Sequence, residues 1–358
     1  MGLQERNIVG CEELENAVAF CVASNYNLLV KGRVGFGKTS ICVQGGIKAG
    51  IKPENIIIES PHVKEIIDYS GLPFAIKGKN GITERADFLP INTMYRMLTA
   101  NEPMLIILDE IDKANRTMNV LAQIIWGREI NNHKIPDFVR FVATCNLEQD
   151  QTGSYSIKPH LLDRFWSVLH YQIDVEGWSN YMLRTYGSVA LPMVSFIRYQ
   201  PHYLTQGQNT ELALEQIKSS TPRTLENYLK MEIQATKLGI SHDALLYGVC
   251  GTAFKIEYDA FNELYLSNDI PSFEDIVSNP DNAKIPTKEG QINLRYVIIS
   301  MLSAKVTDET FASVTQYLMR KEWESFRSLR RVFLTNIKQL NPELLQKYSY
   351  CVVELVGT

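Results

Sequence analysis

The chain has no apolar run near the ~18 residues that a membrane helix needs. Its apolar runs, such as Met104–Leu108 and Val297–Ile299, are short. Cysteine is sparse: six residues, at positions 11, 21, 42, 145, 250 and 351, with no C-x-x-C and no H-E-x-x-H in the sequence. A zinc or disulfide framework is therefore not expected, and reduced thiols in a cytosol are. An excess of either charge is also missing. Lys and Arg number 36 against 40 Asp and Glu, a net of −4. Overall charge thus does not draw the chain to nucleic acid or to an acidic membrane, although a local patch can hide in the average. There is no internal repeat and no low-complexity segment, and with 21 glycines and 14 prolines the collagen-like and disordered classes are poor descriptions. The opening stretch, MGLQERNIVGCEELE, is too acidic and polar for a signal peptide, so a cytoplasmic protein is expected.

What is present is enough apolar material for real cores: 45% hydrophobic and 21% charged over 358 residues. That length suggests about two domains at roughly 150 residues each. The first half alternates short β-rich runs with helical stretches. Strands are predicted at Asn27–Val30, Asn55–Glu59, Met104–Leu108 and Arg140–Thr144, with a further one at 168–172. A helix is predicted from Lys38 to about Ala49. Such alternation implies a parallel sheet covered by helices on both faces. From about Gly177 the spacing turns helical, in Leu212–Ser219, Thr224–Leu238 and Ser241–Leu266, punctuated by Pro192, Pro201 and Pro222. A loop rich in Asp, Asn and Pro (Ser278–Thr287) leads into a last helical segment. There Phe311, Val314, Leu318, Phe326, Leu329, Val332 and Phe333 keep helical spacing. The mixed charges among them (Arg320, Lys321, Glu322, Glu324, Arg327, Arg330, Arg331) read as a solvated face. The expected division is an α/β domain over 1–176, a helical domain over 177–268 and a helical extension over 269–358.

Gly32-Arg33-Val34-Gly35-Phe36-Gly37-Lys38-Thr39 matches G-x-x-x-x-G-K-[ST]. A triphosphate needs a loop whose N–H groups point inward, which demands glycines. It also needs an ammonium for the β- and γ-oxygens and a hydroxyl for a magnesium ion. The match sits between a predicted strand and a predicted helix, the context it requires; the alternative is a glycine turn without a ligand. Met104–Leu108 ends in Asp109 and Glu110. At the carboxyl end of a buried parallel strand, Asp109 can hold magnesium through its waters, and Glu110 can orient and deprotonate an attacking water. A second apolar strand ends in Asn146, whose amide can polarise that water or touch the γ-phosphate, or else merely cap the turn. Arg164, in Leu-Leu-Asp-Arg-Phe, has the fork suited to a transferring phosphoryl group; the alternative is a surface ion pair. Thr221-Pro222-Arg223 opens a helix with Thr221 as cap, so Arg223 falls in the first turn.

These elements, in this order, resemble the AAA+ ATPases, and within them the MoxR-like group. Asn7-Ile8-Val9-Gly10 is similar to the family's entry segment, so the resemblance assigns Ile8 and Val9 to the adenine pocket. Gly32 to Thr39, with Ser40 following, resembles Walker A and places Gly32, Val34, Gly35, Phe36, Gly37, Lys38, Thr39 and Ser40 around the nucleotide. Asp109-Glu110 resembles Walker B, with Thr39 and Asp109 on the metal. Asn146 corresponds to sensor 1, Arg164 to the arginine finger and Arg223 to sensor 2. Asp68-Tyr69-Ser70-Gly71-Leu72-Pro73 through Phe88-Leu89-Pro90 is similar to the group's inserted loop, which faces a ring's axis. Arg128–Asp137 resembles the hairpin before sensor 1. The likeness covers about residues 7 to 240 and is looser beyond. Two departures stand out: Asp112-Lys113-Ala114 replaces an Asn-Arg-Ala, and Cys145 and Leu147 flank Asn146 where an Asn-Pro pair is usual.

The resemblance implies an α/β P-loop core with a parallel sheet, a helical lid and a helical extension. It also implies ATP and Mg2+ as ligands and a homo-oligomeric ring, usually of six. Arg164 then belongs to the neighbour's site, and Arg223 can act there too. The expected activity is ATP-driven remodelling of protein complexes, with a protein client and a separate von Willebrand A domain protein as partner. A nucleic-acid motor or restriction-type translocase on the same core is the alternative. It calls for basic inserted loops, whereas Lys77, Lys79 and Arg85 are offset by Glu84 and Asp87. A nucleotide-gated scaffold without hydrolysis conflicts with the intact Lys38, Asp109, Glu110 and Arg164.

Overall fold

Strands and helices alternate through the first half as the hydrophobic pattern predicts. In the computed structural model, which describes residues 7–79, 83–147, 157, 159–205, 219–240, 243–266, 269–288, 291–349 and 355, the chain divides into two compact units, Met1–Asp174 and Val175–Thr358. The first unit holds β1 (Ile8–Val9), β2 (Leu28–Gly32), β3 (Ile56–Glu59), β4 (Leu72–Lys77), β5 (Thr83–Leu89), β6 (Met104–Leu108), β7 (Glu129–Ile130), β8 (His133–Lys134), β9 (Val139–Cys145) and β10 (Ser167–Tyr171). Among the described residues, six of these form one sheet in the order β1-β10-β2-β9-β6-β3, and every neighbouring pair is parallel. All five residues of β6 and most of β9 are buried, as strands covered on both faces must be. The chain leaves β2, runs to β3 at the far edge and works back through β6 and β9 to β10 on the other side of β2. The order therefore reverses around β2, and a ligand crevice is expected at the carboxyl ends there.

Helices α1 (Cys11–Ser24) and α2 (Lys38–Lys48) cover one face. They approach closely because residue 45 is glycine: a β-carbon there would lie 2.6 Å from the Val18 side chain. The other face packs against Tyr69, Met94, Met97, Leu121, Ile124 and Ile125.

Two hairpins leave the sheet. The segment from Gly71 to Pro90, expected as an inserted loop, forms an antiparallel pair, β4 with β5, running from Leu72↔Leu89 to Lys77↔Thr83. Alternation explains it: Leu72, Phe74 and Ile76 share one face of β4, a strand period of two. Gly81 and Ile82 lie outside the described residues. Nearly every residue of both strands is exposed. The short β7–β8 pair turns through Asn131 and Asn132, both at positive φ, which Asn adopts readily in a two-residue hairpin.

The second unit is helical. Helix Pro222–Leu238 starts as predicted: the Thr221 hydroxyl accepts from the Thr224 N–H at 3.2 Å, with Pro222 at the first position. The periodic run from Ser241 to Leu266 is split at Gly251 (φ 86°) into helices Asp243–Cys250 and Thr252–Glu263. Most of Leu212–Ser219 lies outside the described residues. Phe196, Tyr203, Tyr228, Phe254, Tyr258 and Phe261 form one aromatic cluster. Phe311, Val314, Leu318, Leu329 and Phe333 join another core, as their spacing predicts. The solvated-face reading fails for Arg330. It is buried, its guanidinium donating to Glu324 and to the Arg320 carbonyl, because helix Arg327–Leu340 packs on more than one side.

Candidate nucleotide site

The carboxyl end of β2 opens into a loop that only glycine can turn so tightly at two points: Gly35 and Gly37 have φ 79° and 82°. Gly37 caps α2, so the first N–H groups of that helix face the loop, a natural anion site. Lys38, the first helical residue, is buried to 6% exposure, an unusual place for an ammonium. Its Nζ donates to the carbonyls of Gly32 (2.7 Å) and Arg33 (2.9 Å) and to Asn146 Oδ1 (2.9 Å). Phe36 is buried beneath the loop, whereas Val34 and Ser40 are exposed. Val9 is buried and Ile8 half-exposed. β1 pairs with β10 at Val9↔Tyr171, and Tyr171 pairs in turn with Gly32, so the entry segment lies beside the loop end of the sheet.

Beyond β9, the neighbouring strand β6 delivers both carboxylates. Asp109 Oδ1 accepts from Thr39 Oγ1 at 2.7 Å and from Thr144 Oγ1 at 2.5 Å. One hydroxyl and one carboxylate are hard oxygen donors of the kind magnesium takes alongside phosphate oxygens. Among the described residues there is no group of three or more His, Cys, Asp or Glu positioned to hold a metal alone. Thr39 and Asp109 therefore fit a metal shared with a phosphate.

Glu110 sits at φ 54°, a left-handed conformation that costs a non-glycine residue of order 1 kcal/mol or more. Its N–H donates to Thr144 Oγ1 at 3.2 Å. Its carboxylate takes Lys113 Nζ at 2.9 Å, Asn146 Nδ2 at 3.4 Å and His62 Nε2 at 3.8 Å. Burial pushes the Glu110 carboxyl up, but Lys113, Asn146 and His62 outweigh it and hold the group below the usual carboxylate range. Asn146 is itself buried and positioned from below, its N–H donating to Asp112 Oδ1 at 3.2 Å. Nearby Cys42 and Cys145 are pushed up to about 12, chiefly by burial, and remain neutral thiols.

Lys38, Thr39, Asp109, Glu110 and Asn146 are thus brought together from three strand ends. Arg164 is not. It precedes β10, whose Ser167 pairs with Leu28 at the start of β2, while Gly32 pairs with Tyr171 at the far end. At ~3.3 Å per residue, the strand separates Arg164's end of the sheet from the phosphate loop by about 16 Å. Arg223 lies in the helical unit, exposed in the first turn of helix Pro222–Leu238. Three residues at the site were not assigned to it from the sequence. Thr144 could have been found as a polar residue on the same strand face as Asn146. Lys113 could have been found three positions after Glu110. His62, carried in by the turn after β3, has no local signal.

Sheet order, phosphate loop and paired strand-end carboxylates define an α/β P-loop NTPase fold with a parallel sheet, followed by a helical part. No family model and no curated protein matches the chain. Solved structures do. The Saccharomyces cerevisiae Hsp104:casein complex is 16% identical over 48% of this chain and 35% of that one, with a TM-score of 0.33. NtrX from Brucella abortus in complex with ADP is 11% identical over 91% of this chain and 68% of that one, TM-score 0.35. A candidate ATPase of Cytophaga hutchinsonii is 15% identical over 94% and 91%, TM-score 0.34. The chain spans about a third of the Hsp104 chain's length. At these identities and TM-scores none of the three fixes this chain's activity, client or assembly.

Proposed function

We propose that the chain is an Mg2+-dependent ATP hydrolase of the MoxR-like AAA+ group, acting as a ring that remodels or activates protein complexes. The observation that supports hydrolysis best is the meeting of Lys38, Thr39, Asp109, Glu110 and Asn146 at one end of the sheet, behind a loop with two left-handed glycines. In this reading the loop N–H groups receive the phosphates, and Ile8 and Val9 line the base pocket. Lys38 Nζ exchanges its carbonyl and amide acceptors for phosphate oxygens. Magnesium, held by Thr39 and Asp109, neutralises phosphate charge when bound. Glu110 orients the attacking water and takes its proton, and Asn146 fixes the distance between Lys38 and Glu110 by bonding both. The products are ADP and inorganic phosphate.

Arg164 then serves the neighbouring copy, since it lies at the wrong end of the sheet for its own site. Arg223 approaches a nucleotide as sensor 2, in its own chain or the next. A hexamer, a cytoplasmic location, a von Willebrand A domain partner and a protein client grasped by the β4–β5 hairpin complete the reading. The hairpin's mixed charge favours a polypeptide client over nucleic acid. Among the described residues no helix is long and apolar enough to cross a membrane.

The deciding experiment mixes two inactive variants. Arg164→Ala should bind ATP but hydrolyse it poorly, because a finger supplied in trans is worth roughly 10³ or more in rate. Lys38→Ala should bind it only weakly. Mixed assemblies should recover part of the parent activity, since interfaces pairing an intact pocket with an intact finger reappear. No recovery in verified mixed assemblies would sink the trans assignment.

A further inference from the structure

Glu110 separates two spaces. Its Oε1 accepts from Asn146 Nδ2 at 3.4 Å, and Asn146 accepts in turn from Lys38 at 2.9 Å, so this oxygen is on the side of the phosphate loop. Its Oε2 meets Lys113 Nζ at 2.9 Å and His62 Nε2 at 3.8 Å. Lys113 and His62 both line a cavity of about 230 Å³, whose wall also holds Lys64, Glu65, Asn115 and Arg116. That volume is several times the ~30 Å³ share of a water in the liquid, enough for one tetrahedral oxyanion and a few waters.

The wall brings His62, Lys64, Lys113 and Arg116 against one carboxylate, Glu65. Among the described residues each long cation is tied to a single carboxylate: Lys113 to Glu110, Lys64 to Glu59 at 3.4 Å, and Arg116 to Glu65 at 2.8 Å. A lysine has three donors and an arginine five, so most of these N–H groups remain for a ligand. Exposure rises along the cavity. The side chains of Lys113, Glu110 and His62 are 25%, 28% and 29% exposed, those of Glu65 and Arg116 62% and 79%. The floor is at Glu110, and the mouth is at the Glu65–Arg116 pair.

Reaction geometry says what passes there. In phosphoryl transfer the attacking and leaving oxygens lie roughly in line, so the phosphoryl group moves away from ADP and toward the water held by Glu110. The new phosphate therefore forms against Glu110, with ADP closing the way back through the loop. An anion leaving past a carboxylate is repelled, and clustered cations beyond that carboxylate offset the repulsion. We propose that this cavity is a subsite for inorganic phosphate, the first station of the product between Glu110 and solvent. The proposal rests on the hydrolysis reading given above. Lys113 and His62 receive the phosphate at the floor, Lys64 holds it, and the Arg116 fork carries it to the mouth.

The test uses the full chain loaded with ADP and Mg2+, titrated with inorganic phosphate by calorimetry, with sulfate as competitor. The parent should bind one phosphate that sulfate displaces. Lys64→Gln and Arg116→Gln should each weaken that binding at least fivefold, with ADP affinity and the rate of ATP cleavage in rapid quench within twofold of the parent. Glu59 keeps the Thr93 hydroxyl at 2.7 Å when Lys64 is replaced, and Arg116 is on the surface, so both variants should fold. Lys38→Ala, titrated with phosphate alone, should retain the site, because the cavity is on the other side of Glu110. Phosphate affinity unchanged in both Lys64→Gln and Arg116→Gln overturns the proposal. So does binding that is lost in Lys38→Ala and kept in those two, which would put the phosphate in the nucleotide loop. A parent that binds phosphate through Lys64 and Arg116 but cleaves no ATP keeps the anion subsite and rejects the hydrolysis reading. A parent that cleaves ATP but binds no phosphate beside ADP rejects the subsite alone.

Discussion

Thr144 is buried in a mostly apolar strand, where its hydroxyl ties two catalytic candidates: it donates to Asp109 and accepts from the Glu110 N–H. Thr144→Val keeps the shape and removes both bonds. Each is worth about 1 kcal/mol net, more where a buried partner is left unpaired. We expect melting to drop by a few degrees and the ATPase rate to fall about tenfold, with nucleotide affinity within about threefold of the parent. Thr144→Ser should restore most of the rate; an unaltered rate in Thr144→Val would make the hydroxyl structural. The Lys38 ammonium and the Glu110 carboxylate separate in the same assay. Lys38→Ala loses phosphate charge stabilisation and should bind ATP weakly. Glu110→Gln loses only the water's base and should bind ATP while turning it over at least a hundredfold more slowly. Equilibrium binding beside single-turnover hydrolysis measures both, and parent-like values for the two variants would remove the site assignment.

A two-stranded ribbon is marginal alone, so an exposed β4–β5 pair persists for a reason beyond its own hydrogen bonds. Leu72, Phe74, Phe88 and Leu89 are all exposed on it. If they grip a client, Phe74→Ala with Ile76→Ala should leave basal ATPase and assembly near parent values while client capture by Glu110→Gln falls sharply. Burial of a Phe and an Ile is worth a few kcal/mol. Loss of basal activity as well would make the hairpin structural. In the helical unit, helix Pro222–Leu238 carries Glu232 into a half-buried position. Burial pushes its carboxyl up to about 7, Lys255 opposing and Asp259 adding. An acid raised on folding stabilises fully below its unfolded value near 4.5, and that contribution disappears as pH rises through about 7. The parent should therefore lose more stability between pH 5 and pH 8 than Glu232→Gln, by about 1–2 kcal/mol after allowance for solvent screening. Thermal melts of the two proteins at both pH values check this. Parallel losses would mean that Glu232 titrates normally.

For the whole molecule, a site completed by a neighbour makes specific activity depend on concentration. ATPase per subunit should rise with protein concentration and plateau where sedimentation shows assembly complete. Arg164→Ala should show no such rise. A parent rate per subunit that is flat from nanomolar to micromolar protein would place every catalytic group within one chain. The α/β unit and the helical unit have separate cores, and helices on both sides of residue 268 share the second: Ile292–Lys305 packs against Leu191–Tyr199, and Arg327–Leu340 against Val175–Tyr186.

Much of this was legible in the sequence because it is local. A left-handed turn demands Gly35 and Gly37, an ammonium must follow at once in Lys38, and an apolar run ending in Asp109-Glu110 marks a buried strand opening onto a crevice. Five short strands could be placed to within a residue or two for the same reason. What only the tertiary structure decided is non-local. Strand order puts β9 between β2 and β6, and that juxtaposition alone brings Thr144 to Asp109 and Asn146 to both Lys38 and Glu110. The turn after β3, the strand paired with β6, brings His62 to Glu110 from nearly fifty residues away. Parallel register sets Arg164 at the end of the sheet away from its own phosphate loop, where Asn27 gathers Trp126 and Trp166 around it. Periodicity assigns a residue to a face; which other faces meet it depends on crossovers that span tens of residues and leave no local trace.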